Sequence, residues 1–205
     1  MNYSILNLWN PAVIDGRVPL PIFNTIKQNC LNKVSTIPHN QYLAGNIKEE
    51  YLYLHFQDPD FESFIVNTYK IWRSIFYPYQ PLGQNQTPKI SSAWVNYQKK
   101  WEYNPNHSHG GDASFVIWVS IPYNLEEELK SEHYTKQGDP LKKAAFEFTY
   151  STIAHGIQTH TIWLSSADEG RILMFPNQMI HCVYPFSTSD SDRISIAGNV
   201  YIENN

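Results

Sequence analysis

The chain has 205 residues, 15 Lys+Arg against 19 Asp+Glu, and a net charge of -4 at pH 7. One domain fits that length, and a 42% hydrophobic share with 15% aromatics against 17% charged residues excludes an intrinsically disordered chain. Basic residues cluster only at Lys99-Lys100 and Lys142-Lys143, which excludes an extended phosphate-binding surface and makes nucleic acid an unexpected partner.

The start, Met1 to Ile5, lacks the basic and apolar segments of a secretory signal, and no apolar run approaches the roughly 20 residues of a membrane helix. A soluble protein of the cytoplasm, with no membrane contact, is expected. Residues 3–9 read as a short strand. After Pro19 and Pro21, Leu20, Phe23, Ile26 and Cys30 recur at helical spacing and predict a helix over 20–31. Asp58-Pro59-Asp60 offers capping and first-turn residues before Phe61, Phe64, Ile65, Tyr69, Trp72 and Ile75, so a second helix is predicted over 60–76. The segment 77–88, with three prolines and a glycine, reads as a loop between two unlike halves.

Beyond it the hydrophobic period changes to two. Segments 90–98, 114–121, 145–152, 157–165, 171–175, 180–186 and 193–202 are short, aromatic and β-branched, with turn residues between them. Seven such segments imply a β-sandwich or barrel. The acidic run Glu126-Glu127-Glu128 and the stretch to Lys142-Lys143 interrupt the series and read as a solvated loop or helical turn. The chain is thus expected to be one domain, with 1–88 supporting a β-core over 89–205.

The densest polar cluster runs from Asn104 to Asp112 and contains His107 and His109. Two residues apart in an extended backbone, these imidazoles project from one face, close enough to share an ion. His181, at the start of another strand segment, offers a third nitrogen. Three ligands leave open positions on a six-coordinate metal, as an iron that binds co-substrate and oxygen requires. With only Cys30 and Cys182 in the chain, thiolate zinc chemistry is excluded, and alternation turns Cys182 away from the face of His181. His39, His55, His133, His155 and His160 have no comparable partner by spacing. Twelve residues after His181 comes a strand in which Arg193, Ser195, Ala197 and Asn199 alternate with Ile194, Ile196 and Gly198. An arginine pointing into a barrel needs a carboxylate, and its fork takes one in bidentate fashion, with the Ser195 hydroxyl as a further donor.

The ordered set of Asn104-Pro105-Asn106-His107-Ser108-His109, Gly170 to Pro176, His181 and Arg193-Ile194-Ser195-Ile196 resembles the iron(II)/2-oxoglutarate-dependent oxygenases. The likeness is closest to a subfamily frequent in marine bacteria and their phages, in which Trp94, Asn96-Tyr97 and the stretch Ala44-Gly45-Asn46-Ile47 with Glu50-Tyr51 also find counterparts. The resemblance implies a mainly β fold with flanking helices, a double-stranded β-helix or cupin-like jelly roll, holding Fe(II) at its open end. It also implies 2-oxoglutarate and O2 as co-substrates, with hydroxylation of a substrate, peptide or metabolite, and release of succinate and carbon dioxide. In most of that superfamily the first motif pairs histidine with a carboxylate. His109 stands in that place here, which leaves two ligand sets open: His107, His109 and His181, or one in which Asp112 supplies a carboxylate across the Gly110-Gly111 turn. By the same resemblance Arg193 and Ser195 bind the distal carboxylate of 2-oxoglutarate, with Tyr97 or Tyr103 as a further donor. Two other readings compete: a cupin-like metal protein that dispenses with 2-oxoglutarate and with Arg193, and a non-enzymatic jelly-roll binding or virion module presenting its aromatics to a partner.

Overall fold

In the computed structural model, which describes residues 13–42, 44–54, 58–131, 142–152 and 155–204, ten strands form two sheets that face one another. The strands are β1 (Ile14–Arg17), β2 (Glu50–Leu52), β3 (Gln86–Gln98), β4 (Asn104–His107), β5 (Ala113–Ser120), β6 (Ala145–Thr152), β7 (Gly156–Trp163), β8 (Arg171–Pro176), β9 (Ile180–Val183) and β10 (Arg193–Asn204). The larger sheet has the order β1-β8-β5-β10-β3-β2, and the smaller has the order β4-β9-β6-β7. All pairings are antiparallel. This is the jelly roll expected from the sequence, and the predicted strand at 3–9 lies outside the described residues.

Three strands were not anticipated. β1 and β4 are four residues long and β2 is three, too short to show an alternation, and each is held by its register to a longer neighbour. β1 is further fixed by Arg171, whose Nε and Nη2 donate to the two carboxylate oxygens of Asp15 at 2.8 and 2.7 Å. β1 and β2 bring the N-terminal part of the chain into the larger sheet.

Two helices cover the outer face of that sheet. In α1 (Leu20–Leu31) the buried residues are Ile26 and Cys30. In α2 (Pro59–Phe76) they are Phe61, Ile65, Tyr69 and Trp72, spaced so that one stripe faces the sheet. Asp58 caps α2, its carboxylate accepting from the backbone N–H of Asp60 and Phe61. Against this stripe pack Ala93, Val95 and Tyr97 of β3, Phe115 and Ile117 of β5, and Ile194 and Ile196 of β10. A second apolar cluster, with Val116, Trp118, Phe146, Phe148, Leu173 and Phe175, fills the space between the sheets.

The acidic run takes the helical form of the two expected, as the short helix α3 (Leu125–Lys130). Glu128 is fully buried, accepting from Ser187 Oγ at 2.8 Å and from Thr188 N–H at 2.9 Å. A buried carboxylate needs such donors, and they come from a segment 60 residues away that local charge patterning does not register. Among the described residues no helix is long and apolar enough to cross a membrane.

Candidate metal centre

Register brings the two histidine motifs together. β4 pairs with β9 so that His107 stands opposite His181, and His109 follows two residues beyond His107. The ligand atoms of the three imidazoles all lie within 4.8 Å of one another. His107 and His181 are 4.2 Å apart between ring centroids, and His109 is 4.9 Å from His107 and 5.1 Å from His181.

Two of the rings are aimed by the same device. His107 Nδ1 lies 2.7 Å from the carbonyl of Pro105, and His181 Nδ1 lies 2.9 Å from that of Met179, in each case two residues back along the strand. A carbonyl only accepts, so each Nδ1 must carry the proton and each Nε2 is left with a free lone pair for a metal. His109 is placed differently. Its N–H donates to Asn177 O at 2.9 Å, its carbonyl accepts from Asn177 Nδ2 at 3.0 Å, and its ring lies 5.4 Å from that of Trp94. Gly111, two residues later, has a φ of +111°, and a Cβ there would come within 3.0 Å of Val200 O, so the turn back into β5 depends on glycine.

Burial makes the cluster neutral. It lowers His107, takes His109 down to about 4 and His181 to about 3, and the neighbouring imidazoles push the last two further in the same direction. Phe146 stacks on His181 at 5.4 Å and Phe175 meets it edge-on at 5.0 Å, which keeps water from one side. Three uncharged nitrogens in a partly apolar wall, with two tautomers fixed by backbone, form a donor set that fits iron(II).

The triad lines a narrow cavity with Trp94, Asn96, Ser114, Phe146, Phe175 and Ser195. Ser195 reaches it because β10 pairs with β3, placing Ser195 opposite Asn96 and Arg193 opposite Gln98 on the inward face. Asn96 Nδ2 donates to Ser195 Oγ at 3.3 Å. Arg193 is 2% exposed, yet its four hydrogen bonds among the described residues all go to uncharged oxygens. Nε and Nη2 donate to Gln98 Oε1 at 3.1 and 2.6 Å, Nη1 to Tyr123 Oη at 3.0 Å, and Nη2 to Tyr184 O at 2.8 Å. Among the described residues no carboxylate meets this buried guanidinium, as an anion-binding role requires.

Arg193, one inward position along β10 from Ser195, is not itself among the residues that line this cavity, and three other expected site residues lie elsewhere. Tyr97 is displaced by parity: one position from Asn96, its ring faces the helices and its hydroxyl donates to Cys30 O at 2.7 Å. Tyr103 is exposed and stands just before β4, its N–H donating to Asn46 Oδ1 at 2.7 Å. Asp112 is drawn to α2, where Tyr69 Oη and Arg73 Nη1 both donate to its Oδ2, and it is not among the clustered ligands. A carboxylate already engaged by a guanidinium and a phenol is a poor competitor for a metal. Trp94 and Asn96, which had been given no role, line the cavity because they share the inward parity of Arg193 and Ser195. His39 stacks against Trp94, 5.8 Å away, while His155 and His160 are exposed. His55 and His133 lie outside the described residues.

A wider cleft of about 550 Å³ shares no lining residue with that cavity but is bordered by segments next to two of the histidines in sequence. Gly111 and Asp112, just past His109, line one side of it, Asn177 to Ile180, just before His181, line another, and Thr149 to Ser151 at the end of β6 close it.

Comparison with known proteins follows the same lines. The sequence profile of a family described as "Putative 2OG-Fe(II) oxygenase" matches residues 92–199, just over half of the chain and a span that holds the three histidines, Arg193 and Ser195. No curated protein matches the chain. Among solved structures it is similar to a prolyl-4-hydroxylase from Pseudomonas putida, with 9% identity over 94% of this chain and 92% of that one and a TM-score of 0.55. It is also similar to the viral collagen prolyl hydroxylase of Paramecium Bursaria Chlorella virus-1, in complex with 2-oxoglutarate, with 11% identity over 92% and 94% of the two chains and a TM-score of 0.51. A prolyl hydroxylase from Trichoplax adhaerens, bound to a peptide fragment of hypoxia inducible factor, gives 9% identity over 94% and 83% and a TM-score of 0.54. At such identities these likenesses speak for the jelly roll alone, whereas the family match covers the residues of the site. The chain belongs to the 2-oxoglutarate- and iron(II)-dependent oxygenases, enzymes that use Fe(II), 2-oxoglutarate and O2.

Proposed function

We propose that His107, His109 and His181 hold the iron, that Arg193 and Ser195 take the distal carboxylate of 2-oxoglutarate, and that a peptide segment entering by the wider cleft is hydroxylated at a C–H bond. The balance is 2-oxoglutarate, O2 and substrate going to succinate, carbon dioxide and hydroxylated substrate. The observation that carries this reading is the triad itself: three neutral imidazoles from two distant motifs, with their ligand atoms within 4.8 Å of one another. Iron(II) bound there supplies the open coordination positions and electrons that couple decarboxylation of 2-oxoglutarate to oxidation of a C–H bond.

The chain's own residues have separable tasks. Pro105 and Met179 carbonyls hold two ligand rings in the tautomer that ligates. With no carboxylate among the ligands, the full charge of the metal is left to attract a dianionic co-substrate. Gln98, Tyr123 and the Tyr184 carbonyl hold the Arg193 fork still, so little rotamer entropy is lost when a carboxylate binds it. Phe146 and Phe175 keep water from the side of His181. The cleft of about 550 Å³ lies between the segments that flank His109 and His181, which favours it as the place of the substrate. The Trichoplax enzyme's peptide partner makes a peptide the first class to try. The same reading treats the chain as one domain in which residues 1–88 support the β-core.

Anaerobic titration should show one equivalent of Fe(II) bound, and admission of O2 should then convert 2-oxoglutarate to succinate. His181→Ala should end both, with circular dichroism unchanged. Turnover retained in His181→Ala would overturn the ligand assignment. Family membership favours this reading over a cupin-like protein without 2-oxoglutarate and over a non-catalytic module.

A further inference from the structure

Two buried side-chain oxygens have no hydrogen-bond partner among the described residues, Glu50 Oε1 and Asn96 Oδ1. They are neighbours. β2 pairs with β3 so that Glu50 stands directly opposite Asn96, and residues directly opposite in an antiparallel pair point to the same face. Glu50 is 4% exposed and Asn96 6%. Asn96 in turn lines the cavity of the triad and donates through Nδ2 to Ser195 Oγ.

Two facing acceptors are frustrated unless one of them carries a proton. The amide of Asn96 has two orientations, and each makes a complete chain with one state of Glu50. With Glu50 protonated, its O–H donates to Asn96 Oδ1, Asn96 Nδ2 donates to Ser195 Oγ, and the serine proton is free to point into the cavity. With Glu50 ionised, the amide is reversed: Nδ2 donates to the carboxylate, Oδ1 accepts from Ser195, and the serine turns its lone pairs to the cavity. The observed orientation, with Nδ2 on Ser195, is the first. Burial, with the Glu102 carboxylate adding to it, raises the Glu50 carboxyl to about 8.

We propose that Glu50 carries a proton at neutral pH and donates it to Asn96, so that Asn96 orients Ser195 as a hydrogen-bond donor to the carboxylate of 2-oxoglutarate. This rests on the co-substrate site proposed above and makes Glu50 a positioning residue, acting through Asn96 and Ser195. The other titratable groups around it leave this proton in place. Glu102, after β3, acts in the direction that retains it. Alternation puts Glu49 on the opposite face, where Lys33 and Lys99 bind it and Asp192 lies close. Arg193 is one inward position along β10 from Ser195 and engaged by Gln98. His107, His109 and His181 line the cavity beyond Asn96, and His39 stacks on Trp94.

Infrared difference spectra of the ligand-free protein should show, at pH 7, a protonated-carboxyl stretch that Glu50→Gln removes and that fades in the wild type around pH 8. Identical spectra for the two proteins would overturn the proposal. Anaerobic titration of the Fe(II) protein with 2-oxoglutarate, followed by its charge-transfer absorption, gives the second readout. The wild-type Kd should rise above pH 8, by no more than about tenfold per pH unit as a single linked proton allows, and level off once Glu50 is fully ionised. Glu50→Gln, which keeps a donor but cannot ionise, should stay within about threefold of the wild type at pH 7 and show no such rise. Glu50→Leu, which leaves the Asn96 amide free to reverse, should bind more weakly by about tenfold already at pH 7. A flat wild-type profile, a Glu50→Gln profile as steep as the wild type, or wild-type affinity in Glu50→Leu would each overturn the chain. A wild type that shows the infrared band but binds no 2-oxoglutarate at any pH would overturn the co-substrate site and leave the protonated Glu50 standing.

Discussion

The two faces of the β3–β10 ribbon share one backbone and have opposite characters. The outer face, with Val95, Tyr97, Ile194 and Ile196, packs on Ile26 and Cys30 of α1 and on Ile65, Tyr69 and Trp72 of α2. The inner face carries Trp94, Asn96 and Gln98 beside Arg193, Ser195 and Ala197. Among the described residues the two buried side-chain oxygens without a partner, on Asn96 and on Glu50 opposite it in β2, lie on this inner side. Parity along a strand thus divides stability from chemistry. A substitution on one face should alter folding and leave ligand affinity alone, and a substitution on the other should alter affinity first.

The largest effect expected on the outer side is that of Trp72→Ala. Trp72 is fully buried against the sheet, and removing such a ring costs about 3–5 kcal/mol. Chemical denaturation should show that loss, while the affinity of the folded fraction for 2-oxoglutarate should match the wild type. A parallel fall in affinity would mean that the two faces are mechanically coupled. On the inner side Arg193→Lys keeps the charge and loses the planar fork that Gln98, Tyr123 and Tyr184 hold. Loss of one charge-assisted hydrogen bond to the ligand is worth about 2 kcal/mol, a rise of roughly thirtyfold in Kd. An unchanged Kd in a folded Arg193→Lys protein would remove Arg193 from the co-substrate site.

What the sequence reveals of this arrangement follows from how local each determinant is. α2 was legible because its cap, Asp58, and its apolar stripe lie within one segment. The long strands were legible by alternation. β1, β2 and β4 were not, since Asn104-Pro105-Asn106 or a three-residue strand carries no period, and only pairing to a distant partner makes them strands. The histidines could be singled out because residue type and an i, i+2 spacing suffice to bring two imidazoles to one side. Asp112 shows the reverse. Its spacing from His109 left it open as a ligand, but the groups that claim it, Tyr69 and Arg73, come from a helix about 40 residues earlier. Glu50 was visible only as part of a motif, because its meaning depends on the register that sets it against Asn96.

Tyr97 tests the division at its finest grain. Alternation within β10 puts Arg193 and Ser195 on one face but cannot say which parity of β3 joins them; register does, and it selects Asn96 over Tyr97. The Tyr97 hydroxyl is consequently spent on the Cys30 carbonyl, at the end of α1, and its ring lies under Lys33 Nζ at 4.7 Å. Tyr97→Phe removes one neutral hydrogen bond and leaves the ring in place, so denaturation should register about 1 kcal/mol. The Kd for 2-oxoglutarate and the rate of succinate formation should not move. If instead affinity fell by tenfold or more at unchanged stability, the hydroxyl would have to reach the cavity, and the separation of the two faces by parity would fail at the residue where it is drawn most narrowly.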